Sequence, residues 1–166
     1  MSHPFHQIHI RKESLKFSAA HMTVFPDGRK EHLHGHNYTT EVSLSLKDGS
    51  LKRMVSFSYF KEIIQDLCVA WDERVLIQKD CPFFDLKSET PQEVEFLVCG
   101  KRYILPQEEV IFLPLDNITA ESLAEEFCRR FVAKLDPGYL HSNVLEVRVK
   151  IEESPGQGST SFWKAP

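Results

Sequence analysis

The sequence has no apolar run long enough to cross a membrane. Its opening residues, MSHPFHQIHIRKE, lack the apolar stretch of a secretory signal. No membrane partner is expected, and the cytoplasm is the expected compartment. Also missing is any block of lysine and arginine, or any interleaving of basic with aromatic residues. With a net charge of −4, a nucleic-acid partner is not expected either. The four cysteines, at 68, 81, 99 and 128, include no C-x-x-C pair. A disulfide framework is not expected in a cytosolic chain of this size. There is no internal repeat and no low-complexity linker. A chain of 166 residues, 42 % of them apolar, then reads as one domain over 1–166 with enough apolar mass for a core.

What the sequence does contain is periodicity of two kinds. Residues 8 to 21 alternate: Leu15, Phe17, Ala19 and His21 share one face of a strand, and Lys16, Ser18 and Ala20 share the other. The stretch FPDGRKE, 25 to 31, is turn chemistry. A second strand runs from about 34 to 47, with His34, His36, Tyr38, Thr40, Val42, Leu44 and Leu46 on its even face. Phe60, Ile63, Ile64, Leu67, Cys68 and Trp71 then fall on one helical stripe, with Ser58 as candidate N-cap. A second stripe runs from Ala120 through Leu123, Phe127, Cys128 and Phe131 to Leu135, with Thr119 as N-cap and Asp136-Pro137-Gly138 as its stop. Cys68 and Cys128 lie on these stripes and read as small core residues. Alternation returns over 144 to 152, and a short strand is expected near 159 to 163. Between the helices, 79 to 114 is less regular: EVEFLV, CGKR and YILP read as a hairpin, and VIFLP as one more short strand. The pattern is α+β, one antiparallel sheet carrying two helices on one face, with an inserted β-rich segment.

Strand geometry gives meaning to EHLHGHNYTTEV, 31 to 42. Side chains two apart point the same way, so His34 and His36 project together. His21 shares the buried parity of its own strand and ends it one turn earlier. Two antiparallel strands therefore bring three imidazoles to one pole of a sheet. Three neutral histidines with an open fourth position form a catalytic zinc arrangement. Gly35 between them lets the backbone pass closely. Taken singly, each histidine reads as an ordinary polar residue; the expectation of a metal rests on the trio. His32 has the parity to replace His21 but reads as accessory or exposed. His3, His6, His9 and His141 receive no role. A rival constellation, Gly28-x5-His34-x-His36-x4-Glu41, is similar to the first metal motif of cupins. Against it, Glu41 has the wrong parity, and two amphipathic helices use chain that a cupin spends on strands.

The segments FSAAH (17–21), HGHNY (34–38), VSFSYFK (55–61), Asp72 after the first helix, Thr119-Ala-Glu121 and Glu153-Ser154 keep the order of a known family. The chain resembles the 6-pyruvoyltetrahydropterin synthase and 6-carboxytetrahydropterin synthase family over nearly its whole length. The resemblance implies the tunnelling fold (T-fold): a four-stranded sheet and two helices per subunit, closing into trimeric barrels that stack as hexamers. It implies zinc on His21, His34 and His36, and a pterin anchored by Glu153, with Thr119 and Glu121 lining the pocket. The usual substrate is 7,8-dihydroneopterin triphosphate. Read without the resemblance, Glu121 merely suits a helix N-terminus, and Glu153 is a solvated acid.

Three departures qualify the match. The family's cysteine before HGH is missing, since no cysteine lies between 22 and 33, and Glu31 stands there instead. The resulting E-x-x-H-G-H resembles a glutamate variant that cleaves the side chain to 6-hydroxymethyl-7,8-dihydropterin. Asp72-Glu73 replaces the family's Asp-His pair, an exchange of a relay titrating near neutrality for two repelling carboxylates. The 79–114 segment is longer than in many relatives. The expected activity is a zinc-dependent lyase with Glu31 as base and Asp72 and Glu73 as proton relay. The alternative is a family fold that binds a pterin or related heterocycle with altered or lost chemistry. Folate, biopterin and deazapurine routes share this substrate, so the pathway stays open.

Overall fold

The structure is a computed structural model and describes residues 6–166; His3 lies outside them. Two long strands, β1 (His6–His21) and β2 (His34–Leu46), pair antiparallel. The register sets His21 opposite His34 and Ala19 opposite His36. The alternation of β1 is not continuous. Ile10 is buried on even parity, but Leu15, Phe17, Ala19 and His21 are buried on odd parity. A bulge between Arg11 and Lys16 makes the switch, because Arg11 pairs Glu41 while Lys16 pairs Thr39.

β2 pairs antiparallel with β8 (Val144–Ser154), and β8 with β9 (Gln157–Lys164). These are the four antiparallel strands expected, but the sheet is larger than expected. Its order is β7-β3-β1-β2-β8-β9, six strands, with β3 (Arg74–Gln78) and β7 (Val110–Leu113) added in parallel beyond β1. The physical cause is visible at the end of the first helix. Glu73 takes a left-handed φ of 55°, and its N–H donates to the Ser18 carbonyl at 2.7 Å. That turn lays RVLIQ directly beside β1, where Leu76 and Ile77 are fully buried, as the near-continuous apolar run of a parallel strand requires.

Helix α1 (Phe57–Trp71) buries Phe60, Ile63, Ile64, Leu67, Cys68 and Trp71, the predicted stripe, but its cap is Ser56 rather than Ser58. Helix α2 (Ala120–Lys134) is capped by Thr119 in a reciprocal box with Ser122. Both helices share one core with β1, β2 and β8. At its centre Trp71 meets Phe17 and Phe127 edge-on at centroid distances of 5.4 and 5.6 Å. The expected stop at Asp136-Pro137-Gly138 instead starts a third helix, α3 (Pro137–Asn143). Asp136 accepts the Tyr139 N–H, and Pro137 occupies the first helical position, where its missing donor costs nothing.

The inserted segment is more than a hairpin. It forms an antiparallel sheet of three strands, β4 (Phe84–Glu89), β5 (Glu93–Val98) and β6 (Lys101–Pro106). Val94, Phe96 and Val98 of β5 pack with Met22, Val24, Ile77 and Val110 in a second apolar cluster. The segment is thereby seated on the chain that follows β1. Among the described residues, no helix is long and apolar enough to cross a membrane.

Candidate functional site

The β1–β2 pairing ends in three imidazoles. One ring nitrogen from each of His21, His34 and His36 lies within 4.8 Å of the others, and the Nε2 atoms of His34 and His36 are 3.0 Å apart. Gly35 permits this, since a Cβ there would stand 3.3 Å from the Ala19 carbonyl oxygen. Backbone carbonyls orient the rings. His21 Nδ1–H donates to Ile118 O at 3.1 Å, and His34 Nδ1–H donates to His32 O at 2.8 Å. With Nδ1 protonated, each of these two Nε2 atoms carries the ring's lone pair, the tautomer that hydrogen bonding through Nδ1 gives metal-bound histidine. His21 Nε2 is buried with no hydrogen-bond partner. Burial, then the His34 charge, pushes the His21 pKa down to about 4, with His36 adding to the effect; the bond to Ile118 O and the charge of Glu31 oppose it. A convergent imidazole set with one buried nitrogen left without a partner fits a zinc ion in a three-histidine site.

The histidines line a cleft of about 450 Å³ that also holds Glu31, Thr119, Glu121, Glu153 and Gln157. Strands β1, β2, β8 and β9, helix α2 with its cap, and the loop before β2 supply these side chains. Glu31 follows a tight loop in which Val24 bridges Lys30 and Gly28 adopts φ 81°. Its own N–H donates to Thr23 O at 2.9 Å, and its Oε2 stands 3.9 Å from His34 Nε2. Thr119 and Glu121 open α2, and Glu153 sits near the end of β8. Beneath the histidines Tyr38 is buried, stacked on Phe17 at 4.8 Å. Burial, with the charges of Glu153 and Glu31, raises its hydroxyl pKa far above the ordinary value, so it stays neutral.

Asp72 and Glu73 are not in this cleft. Asp72 accepts the Ser18 N–H at 2.7 Å. Glu73 lines a separate depression with Arg74, Asn37 and Glu109, which His36 also borders. His32 contributes its carbonyl to His34 and no ring nitrogen to the cluster. Glu41 pairs with Lys150 across β2 and β8, away from the cleft, which removes the cupin-like reading along with the fold that reading needs.

Sequence reasoning missed the segment that organises the site. Asn117 accepts the Val24 N–H and donates to Val24 O, each at 2.9 Å, clamping the loop before Glu31. Its neighbour Ile118 fixes the His21 tautomer. The partners are more than 90 residues apart in sequence, and an asparagine ahead of an N-cap signals only a turn. Gln157 and Gly158 were also missed. Gly158 is forced, because a Cβ there would lie 2.2 Å from Ile151 O.

This is a sheet-and-helix fold with a histidine cluster at the pole of its two long strands, and comparison with known proteins gives the class a family. The 6-pyruvoyl tetrahydropterin synthase profile matches residues 9–162. The chain belongs to the 6-pyruvoyl tetrahydropterin synthase family. It is 32% identical over 149 residues to a Methanocaldococcus jannaschii protein provisionally named 6-carboxy-5,6,7,8-tetrahydropterin synthase, covering 87% of this chain and 88% of that protein. A Pyrococcus horikoshii protein of the same provisional name is 29% identical over 133 residues, covering 78% and 73% of the two chains. Among solved structures, 6-pyruvoyl tetrahydropterin synthase from Plasmodium vivax shares the fold with a TM-score of 0.87 at 21% identity, covering 98% of this chain and 99% of that one. A glutamate-to-alanine form of that Plasmodium vivax protein, described as a catalytic residue mutant, superposes with a TM-score of 0.87 at 20% identity and the same coverage.

Proposed function

We propose that this chain is a zinc-dependent lyase acting on the side chain of 7,8-dihydroneopterin triphosphate and yielding 6-hydroxymethyl-7,8-dihydropterin. The observation that carries the reading is the placement of one carboxylate, Glu31, beside three convergent imidazole rings in a single cleft. Support comes from the Plasmodium vivax relative, in which a replaced glutamate is described as a catalytic residue. Zinc on His21, His34 and His36 would polarise hydroxyl oxygens of the side chain as a Lewis acid. Glu31 is the general base for the polarised side chain, within reach of an atom held against His34. Glu153 accepts hydrogen bonds from the amino and ring N–H groups of the pterin, and Thr119 and Glu121 line the ring site. Tyr38, neutral and buried, closes the floor against water.

Asp72 and Glu73 return or relay the proton from a neighbouring copy in a trimer or hexamer. Two features support self-association. Among the described residues, the N-terminal half of β1 pairs only with β2, since β3 meets β1 at Ala19 and Ala20, and β9 has β8 as its one neighbour in the sheet. Both free edges can extend the sheet across copies. The four free thiols suit the reducing cytoplasm.

The test is a product assay. Zinc-loaded protein is incubated with 7,8-dihydroneopterin triphosphate, and pterins are identified by chromatography and mass. 6-Hydroxymethyl-7,8-dihydropterin supports the reading. A pyruvoyl or carboxy product overturns the assigned cleavage but keeps the family chemistry. Zinc binding without turnover overturns the activity and leaves a pterin-binding fold with altered chemistry.

A further inference from the structure

Beside the histidine cleft, and sharing Glu31 with it, lies a groove of about 680 Å³. One wall is the loop after β1, with Arg29 and Lys30; the other is the β5–β6 turn and start of β6, with Lys101, Arg102 and Tyr103. Four cations face this groove in a chain of net charge −4, and Glu31 is the one acid lining it among the described residues. The walls are tied together. Lys30 Nζ lies 5.1 Å over the Tyr103 ring and donates to Glu31 O at 2.9 Å. Phe83 would be 3.2 Å from a Cβ on Gly28, so the inserted segment packs directly on the loop. Arg29 and Arg102 each spend one Nε–H on a carboxylate, of exposed Asp27 and half-buried Glu95, which leaves other guanidinium donors free. Lys101 makes no ion pair among the described residues.

The charges of the two cavities differ in sign. Glu121 and Glu153 line the histidine cleft, the four cations line the groove, and Glu31 belongs to both. A ligand that reacts beside Glu31, with N–H donors on one part and phosphates on another, is favoured with its donors in the cleft and its phosphates in the groove. We propose that this groove is the subsite for the phosphate chain of the substrate, and that the inserted β4–β6 sheet, through Lys101 and Arg102, makes the enzyme select phosphorylated over unphosphorylated pterins. The inference rests on the proposed pterin reaction for its substrate, though not for its anion. Guanidinium and ammonium groups are the side chains that recognise phosphate oxygens, and a cleft lined by one sign of charge concentrates the opposite ion.

The test uses inorganic tripolyphosphate as probe with the zinc-loaded protein, by calorimetry at two ionic strengths, with zinc content checked after each titration. The comparison is with Lys101→Glu/Arg102→Gln, which leaves the histidines, Glu31 and the Lys30 bond to its carbonyl in place. Because zinc is common to both proteins, any difference reports the groove. Tripolyphosphate is expected to bind the parent and to lose at least tenfold in affinity in the variant, with the parent's binding weaker at high salt. In turnover, the variant is expected to raise KM for the triphosphate substrate at least tenfold with kcat within about twofold, and to leave KM for 7,8-dihydroneopterin, which lacks phosphate, unchanged. Equal tripolyphosphate affinity in parent and variant overturns the subsite. Equal losses for both pterins overturn the selectivity, since the groove would then serve the ring or the fold. Tripolyphosphate binding that follows the variant while no pterin turns over overturns the pterin reading and leaves the anion site standing. Lys101→Arg, which keeps the charge, is expected to restore binding to within about threefold.

Discussion

Glu31 is positioned by its backbone and left free at its carboxylate. Its N–H and carbonyl are both engaged, and its side chain is only 3.9 Å from a histidine nitrogen. Replacing it with alanine is therefore expected to spare zinc and the fold while lowering turnover by at least about a hundredfold, the low end for a lost general base. His34→Ala should instead lose the metal. Zinc content by atomic absorption beside the product assay separates the two, and full activity in Glu31→Ala would remove that residue from the mechanism. His21 gives a pH prediction. Its pKa sits at about 4 in the folded protein, against 6.5 ordinarily, chiefly through burial. Between those values the unfolded chain binds more protons than the folded one, so stability falls as pH drops from 6.5 toward 4. Urea melts of the metal-free protein over that range should show a falling midpoint, and His21→Gln should flatten the slope. At this scale the convergence of His21, His34 and His36 was legible because side chains two apart on a strand share a face. Asn117 and the Ile118 carbonyl were not, because a backbone bond to a distant loop leaves no periodic mark.

The elements show where pattern reading works and where it stops. Both long helices were legible from their stripes, each wide enough to dominate any alternative. β3 was not, because RVLIQ follows a helix without a break and a short buried parallel strand does not alternate. α3 was read as a stop because Asp-Pro-Gly can end one helix or begin the next; here Asp136 caps and Pro137 starts. The bulge in β1 was hidden as well, since alternation on either side of it looks unbroken when read locally. The β8–β9 hairpin carries a prediction of its own. A Cβ on Gly158 would lie 2.2 Å from Ile151 O and 2.6 Å from Glu152 Cα, so the strands must separate to admit it. Gly158→Ala is expected to cost about 2 kcal/mol or more in denaturant unfolding and to weaken pterin affinity, because Glu153 and Gln157 flank the disturbed pair. Gly100→Ala, at φ 72° with open space around it, should cost only about 1 kcal/mol. Equal costs at the two positions would refute the close-approach argument.

Across the whole molecule the inserted sheet and the parallel strands do one thing together: they build up the side of the fold that carries the histidines. The consequence lies in which amides open first. Ala19 and Ala20 of β1 are flanked by β2 on one side and β3 on the other, whereas, among the described residues, 6–16 have β2 alone. A strand bordered on both sides exchanges its amide protons only through larger openings than one bordered on a single side. Amide exchange followed by mass spectrometry on the monomeric state in dilute denaturant should therefore find 6–16 exchanging well before 17–21. Uniform exchange along β1 would mean the parallel strands give the histidine end no added protection. If the gradient holds, a single strand contains two levels of local stability. Its loose half is then free to break and remake contacts, with solvent or with another copy, while its tight half keeps the three imidazoles in register.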